Sequence, residues 1–252
     1  MDLQLDGRRA IVTGGTGGIG RAVAQALADE GCGVGVCARG EEGVEATVAD
    51  LRARDVPAFG RALDVAEKDA LETWVEAAAD ALGGLDVVVA NVSALAMGGG
   101  EEAWRRSVEV DLMHTVRTVE AALPHLRASD AGSIVVVSSV TAREPQSAGP
   151  YGTAKAALNH YGKALSTELA SDGIRVNVVS PGTIYVEDGF WGGVEREDPE
   201  FFERMVAANP TGRMGRPEEV ARAVAFLASP VSGFTTGSNL LVDGAITDGV
   251  QM

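Results

Sequence analysis

The chain has 252 residues, and 36 acidic residues against 21 basic ones leave a formal net charge of −15. With 46% hydrophobic and 23% charged residues it has the makeup of a packed globule, not of a disordered chain. The acidity argues against nucleic-acid or anionic-membrane binding, which needs clustered positive charge.

Strand and helix signals alternate from the start. The opening residues, Met-Asp-Leu-Gln-Leu-Asp, carry no basic patch and no apolar run, so no secretory leader is expected. Residues 9–13 form a short apolar run that ends in glycines, and 20–30 has helical spacing through Val23 and Leu27. A second strand is expected at 33–38 and a second helix at 41–54. A third strand at 58–63 leads into a helix ending near 81. The valine-rich runs 85–90 and 133–137, with 175–179 and 239–242, complete seven strands. Such β-branched runs suit strands buried on both faces of a parallel sheet. Seven strands separated by helices predict an α/β fold, a Rossmann-type doubly wound sheet of mainly parallel strands with helices on both faces. No linker or repeat interrupts it, so residues 1–252 are expected to form a single domain. No run approaches the length of a membrane span.

The two cysteines, Cys32 and Cys37, are too few for a disulfide scaffold and suit a reducing, cytoplasmic compartment. The three histidines, His114, His125 and His160, are scattered, and no zinc spacing exists, so no metal site is expected.

The first strand runs into Thr13-Gly14-Gly15-Thr16-Gly17-Gly18-Ile19-Gly20. A glycine-rich strand-to-helix turn lets backbone N–H groups approach a phosphate, and the helix N-terminus adds partial positive charge. Two templates fit: Gly15, Gly17 and Gly20 match G-x-G-x-x-G, while Gly14, Gly18 and Gly20 match T-G-x-x-x-G-x-G. At the tip of the second strand stand Ala38 and Arg39. A carboxylate there would bind a ribose 2′-hydroxyl; an arginine fork instead suits a 2′-phosphate. NADP(H) is therefore favoured over NAD(H), although Glu41 and Glu42 stand close enough to weaken the arginine's field.

Tyr151 and Lys155 lie four residues apart at the start of a predicted helix and share a face. An ammonium beside a phenol stabilises the phenolate, which can then exchange a proton with a carbonyl oxygen. The fifth strand ends at Ser138-Ser139, at the sheet edge where open α/β folds bind ligands.

Taken together, Thr13-Gly14-x-x-x-Gly18-Ile19-Gly20, Asp64-Val65, Asn91, Ser139, Tyr151-x-x-x-Lys155 and Pro181-Gly182 resemble the short-chain dehydrogenase/reductase family over essentially the whole chain. The resemblance implies Tyr151 as general acid/base, Ser139 as the group orienting the substrate oxygen, and Lys155 as ribose ligand and modulator of the tyrosine. It implies that Gly14, Thr16, Gly18, Ile19 and Gly20 hold the dinucleotide, that Asp64 and Val65 contact adenine and that Asn91 borders the cofactor. Pro181, Gly182 and Ile184 would meet the nicotinamide carboxamide. Ser138 is the less fitting serine, since the family uses the second of the pair.

Three positions depart from the family. Asp111 stands where the family has asparagine, whose main-chain carbonyl holds a proton-relaying water. An aspartate keeps that carbonyl, and its carboxylate would favour a charged Lys155 if close, so Asp111 is counted with the catalytic set and Asp111→Asn is expected to keep activity. The usual Asn-Asn-Ala-Gly reads Ala90-Asn91-Val92-Ser93, and Val186 replaces a threonine that contacts the cofactor.

Residues 185–214 are expected to form a substrate lid, with Phe190, Trp191, Phe201, Phe202 and Met205 against an apolar ligand. Leu95, Met97 and residues 143–149 would complete the pocket. The leading reading is a reductase/dehydrogenase of a free ketone or secondary alcohol. The alternatives are a 3-oxoacyl thioester reductase, disfavoured because acyl carrier proteins are acidic too, and a non-catalytic NADP-binding regulator. Asp172 stands where carrier-binding relatives tend to be basic. The resemblance also implies a homotetramer, joined through the helices carrying 104–123 and 151–169.

Overall fold

The structure, a computed structural model, describes residues 2–96, 98–144 and 148–249. One sheet holds all seven expected strands: β1 (Arg9–Thr13), β2 (Gly33–Ala38), β3 (Ala58–Ala62), β4 (Val87–Ala90), β5 (Ser133–Val137), β6 (Arg175–Pro181) and β7 (Asn239–Val242). The order is β3-β2-β1-β4-β5-β6-β7, and every pair is parallel. The order reverses between β1 and β4, so a crevice opens there beyond the carboxyl ends of the strands.

The central strands β1, β2, β4, β5 and β6 are buried on both faces because helices cover both. Alternate residues point to opposite sides. Val12, Val87, Val89 and Val135 join a core with Leu27 of α1 (Gly18–Asp29), Val48 of α2 (Glu41–Arg52) and Val224 of a later helix. Ile11, Val88, Ile134 and Val136 join the other core, with Trp74 of α3 (Lys68–Leu82) and Val119 and Leu158 of two further helices. The two thiols follow this division: Cys32 lies in the first core and Cys37 in the second, both free.

The expected helix through 104–123 is interrupted. α4 (Glu101–Ser107) runs into a π-helical segment (Val108–Met113), then into α5 (His114–Arg127). The widened turn is the kind of bulge that often marks a functional position. α6 (Pro150–Glu168) starts with Pro150 in its first turn, where the missing N–H costs nothing.

Strand β6 is longer than the predicted 175–179 and begins with a buried arginine. Arg175 donates to Leu227 O, Ala228 O and Ser229 O at 2.6, 3.0 and 3.1 Å. These carbonyls close α9 (Pro217–Ala228), so the guanidinium adds charged donors to a helix end that Ser133 Oγ and Ser232 Oγ also serve. The segment predicted as a lid contains α7 (Phe190–Glu197) and α8 (Pro199–Ala208). Among the described residues no helix is long and apolar enough to cross a membrane, and no cluster could hold a metal ion.

Candidate active site

The dinucleotide turn is built from backbone. Gly14 has φ +67° and Gly18 φ +49°, conformations that glycine adopts without strain. This selects the T-G-x-x-x-G-x-G template over G-x-G-x-x-G. A Cβ on Gly20 would sit 2.1 Å from Gly14 O, so only glycine lets α1 approach the turn. Gly17 precedes α1 and offers no side-chain cap, leaving the first N–H groups of the helix open. Asn91 ties the turn to β4: its Nδ2 donates to Thr13 O at 3.0 Å, and its backbone N donates to Thr13 Oγ1 at 3.0 Å.

A cleft of about 800 Å³ joins this turn to the chemistry. Gly14, Thr16, Gly18, Ile19, Gly20, Arg39 and Asn91 line one end. Ser139, Tyr151, Lys155, Pro181, Gly182 and Ile184 line the other. A cavity of about 400 Å³ continues past Arg39 to Asp64 and Val65. The sequence-predicted cofactor residues, with Ser139, Tyr151 and Lys155, therefore line these two adjoining spaces, whereas Asp111 lines neither. Arg39 forms no ion pair or hydrogen bond among the described residues, so neither Glu41 nor Glu42 neutralises it directly. Val186, the missing threonine, lines the cleft without a polar atom.

Tyr151 sits in the first turn of α6 and Lys155 one turn on. Lys155 is buried and stands 5.9 Å over the Tyr151 ring, and its Nζ donates to Val137 O at 3.1 Å. Ser138 is spent on structure, donating to Lys155 O at 3.1 Å. Ser139 faces the cleft, and its Oγ accepts from Thr141 Oγ1 at 2.9 Å and Thr141 N at 3.2 Å, which aims its own proton elsewhere. The expectation that Lys155 leaves the phenol with a depressed pKa does not hold for the chain alone. Burial pushes Tyr151 above the usual tyrosine value, and Asp111 adds to the rise against a hydrogen bond with Ser139. Burial lowers Lys155, and Asp111 opposes that fall.

Asp111 is fully buried in the π-helical segment. Its Oδ1 accepts from Ser93 Oγ at 2.5 Å and its Oδ2 from Ser107 Oγ at 2.9 Å, with Lys155 Nζ 3.6 Å from Oδ1. Its main-chain carbonyl, expected to serve the relay, accepts instead from Thr115 Oγ1 at 3.3 Å. The carboxylate, not the carbonyl, faces the lysine. Sequence reasoning noted Ser93 as a departure without giving it a role, and nothing in the pattern around Ser107 marked it. It also missed His114, whose buried ring reaches Thr13 Oγ1 through Nε2 at 3.3 Å and Val110 O through Nδ1.

At the substrate end, Leu95, Phe190 and Trp191 line the cleft. Phe201 and Phe202 pack inside the lid, 6.1 Å from Trp191 and 5.9 Å from Tyr185. Met97 and residues 145–147, also expected at the pocket, lie outside the described residues.

A doubly wound sheet with a glycine phosphate turn and a Ser/Tyr/Lys cluster in one cleft defines a nicotinamide-dependent oxidoreductase. Comparison with known proteins agrees. The family profile described as enoyl-(acyl carrier protein) reductase matches residues 14–247. Isoepoxydon dehydrogenase of Penicillium expansum is 40% identical, covering 98% of this chain and 97% of the relative. Cis-4-hydroxycyclohexanecarboxylate dehydrogenase of Sinomonas cyclohexanicum is 36% identical over 95% and 96%. The crystal structure of L-sorbose reductase from Gluconobacter frateurii, complexed with NADPH and L-sorbose, superposes with a TM-score of 0.89. It is 29% identical and covers 99% of this chain and 100% of that one. The chain belongs to the short-chain dehydrogenase/reductase family and is an oxidoreductase interconverting a ketone and a secondary alcohol.

Proposed function

We propose that this chain is a single catalytic domain that uses NADP(H) on a free small-molecule ketone or secondary alcohol, with Tyr151 moving the proton. The observation that carries this is the placement of Ser139, Tyr151 and Lys155 in the same cleft as the open N-terminus of α1. The turn fits a dinucleotide, because Gly17 offers no side-chain cap and leaves the first N–H groups of α1 open to a phosphate. A bound nicotinamide dinucleotide supplies or accepts the hydride.

The chain's own residues do the rest. Gly14, Thr16, Gly18, Ile19 and Gly20 hold the phosphates, Asp64 and Val65 border adenine, and Asn91, Lys155, Pro181, Gly182 and Ile184 border the nicotinamide half. In reduction the Tyr151 hydroxyl donates a proton to the carbonyl oxygen while Ser139 hydrogen-bonds the same oxygen; in oxidation Tyr151 accepts it. The lid at 185–214 brings Phe190 and Trp191 over the substrate and limits water.

NADP(H) is favoured by the unpaired Arg39 at the tip of β2 and by the NADPH named in the L-sorbose reductase structure. A ring-borne secondary alcohol, as in the name of the Sinomonas relative, suits the apolar and aromatic lining. A carrier-bound thioester is disfavoured by the −15 charge, and Arg127 is neutralised by Asp172 at 2.8 Å. The half-exposed Trp104 and Val108 on the α4 side, with Phe226, Phe234 and Leu240 near the far sheet edge, suit two interfaces of a homotetramer. The free buried thiols suit a reducing cytoplasm.

The test is titration with NADPH and NADH, followed by a panel of ketones and alcohols against wild type and Tyr151→Phe. NADPH should bind more tightly, and Tyr151→Phe should bind it equally while turnover falls about 10²–10⁴-fold. Unchanged turnover in the variant would remove Tyr151 from its role. Tight binding with no turnover on the whole panel would favour a non-catalytic regulator.

A further inference from the structure

Asp111 places a negative charge where the family has a neutral amide. Two serine hydroxyls and one ammonium converge on its two oxygens, at 2.5, 2.9 and 3.6 Å, and the residue is fully buried. All three groups are donors, and each finds a carboxylate oxygen as acceptor. Ser93, where the family has glycine, supplies one of the hydroxyls, so two departures from the family meet in one contact.

An ammonium alone beside a phenol favours the phenolate, and a carboxylate in contact with that ammonium offsets its field. We propose that Asp111 is a positioning residue that offsets the charge of Lys155 and keeps the Tyr151 phenol protonated at neutral pH, which presupposes Tyr151 as the proton-transfer group. At neutral pH the chain then stands ready to donate a proton to a carbonyl. It reaches the form that accepts a proton from an alcohol in alkaline solution.

Other charged groups surround the centre. Glu109 of the same π-helical segment is paired with Arg117 of α5. His114, on the first turn of α5, is pushed down to about 3 by burial and is neutral at working pH. Arg21 lines the dinucleotide end of the cleft, and the exposed Asp188 lines the lid end, where solvent screens it. Arg143 lies on the connection between β5 and α6. Burial raises Tyr151 and lowers Lys155, and the carboxylate shifts both upward, so it delays the first proton lost by the pair.

Tyrosinate absorbance is titrated in the free protein, and the same curve for Tyr151→Phe is subtracted to remove Tyr161 and Tyr185. In wild type the Tyr151 step should lie well above neutrality. In Asp111→Asn it should fall by about one pH unit or more. The pH at which kcat for alcohol oxidation rises should fall with it. Asp111→Ser, which also removes the charge and keeps a small polar group, should shift in the same direction if the asparagine variant does not fold. A wild-type step at or below neutrality, or an unmoved or raised step in a folded variant, overturns the proposal. Full turnover in Tyr151→Phe would instead overturn the assignment of Tyr151 on which it rests.

Discussion

The cleft has two ends that handle charge in opposite ways. The dinucleotide end, from Thr13 to Gly20, presents backbone N–H groups, a helix terminus and a solvent-exposed Arg39. The catalytic end buries an ammonium and a carboxylate 3.6 Å apart beside a phenol. Backbone dipoles carry no titratable proton, so the first end is set by shape and is insensitive to pH. Buried side-chain charges depend on each other, so the second end is set by protonation and by a few hydroxyl contacts. An acidic chain can thus bind an anionic cofactor at one end and tune a proton at the other.

Substitutions can separate the two ends. The largest effect is that of Tyr151→Phe already described: chemistry lost, cofactor binding kept. Its mirror is Gly20→Ala. The new methyl would meet Gly14 O at 2.1 Å, and relief of the clash should distort the turn at about 1–3 kcal/mol. Binding of both NADPH and NADH should weaken about 10–100-fold in fluorescence titration. Wild-type affinity in this variant would show that the turn is not the phosphate site.

Arg39→Ala sharpens the dinucleotide end further. Loss of one charged contact should weaken NADPH about tenfold and leave NADH nearly unchanged. Equal losses for the two cofactors would take the 2′-phosphate away from Arg39.

The smallest effect concerns the residue that connects the ends. His114 joins Thr13 of the turn to Val110 of the π-helical segment. Burial pushes it from 6.5 down to about 3, so the folded chain resists protonation while the unfolded chain accepts it. Its contribution is therefore full above about pH 6.5 and is lost as pH falls toward 3. Urea midpoints measured across that range should fall less steeply in His114→Gln than in wild type. Parallel curves would show that the histidine titrates alike in both states.

The strands were readable because their valine-rich runs have no other stable home than a sheet covered on both faces. All seven appear where expected, with ends moved by one or two residues at β3, β4 and β6. The turn glycines and Tyr151/Lys155 were readable for a similar reason: local chain geometry alone places them at a helix start and on one helix face. Arg175 was not, because a helix end 52 residues away in sequence decides whether a strand arginine can be buried. The π-helical turn was hidden too, since no periodicity in 104–123 distinguishes a bulged helix from a regular one.

Asp111 marks the boundary between the two kinds of information. The family pattern marks its charge as unusual, gives its carbonyl the relay and lets its carboxylate act on Lys155 only if the two are close. The fold brings Ser93 from the β4 edge, Ser107 from α4 and Lys155 from α6 onto its carboxylate. Local sequence determined the sheet, the glycine turn and the placement of Tyr151 and Lys155 on one helix face, because each depends on neighbours within a turn or two. Which oxygen of Asp111 faces the lysine, and whether Arg39 stays unpaired, were decided by contacts between distant segments, where electrostatic effect depends on separation and burial in three dimensions.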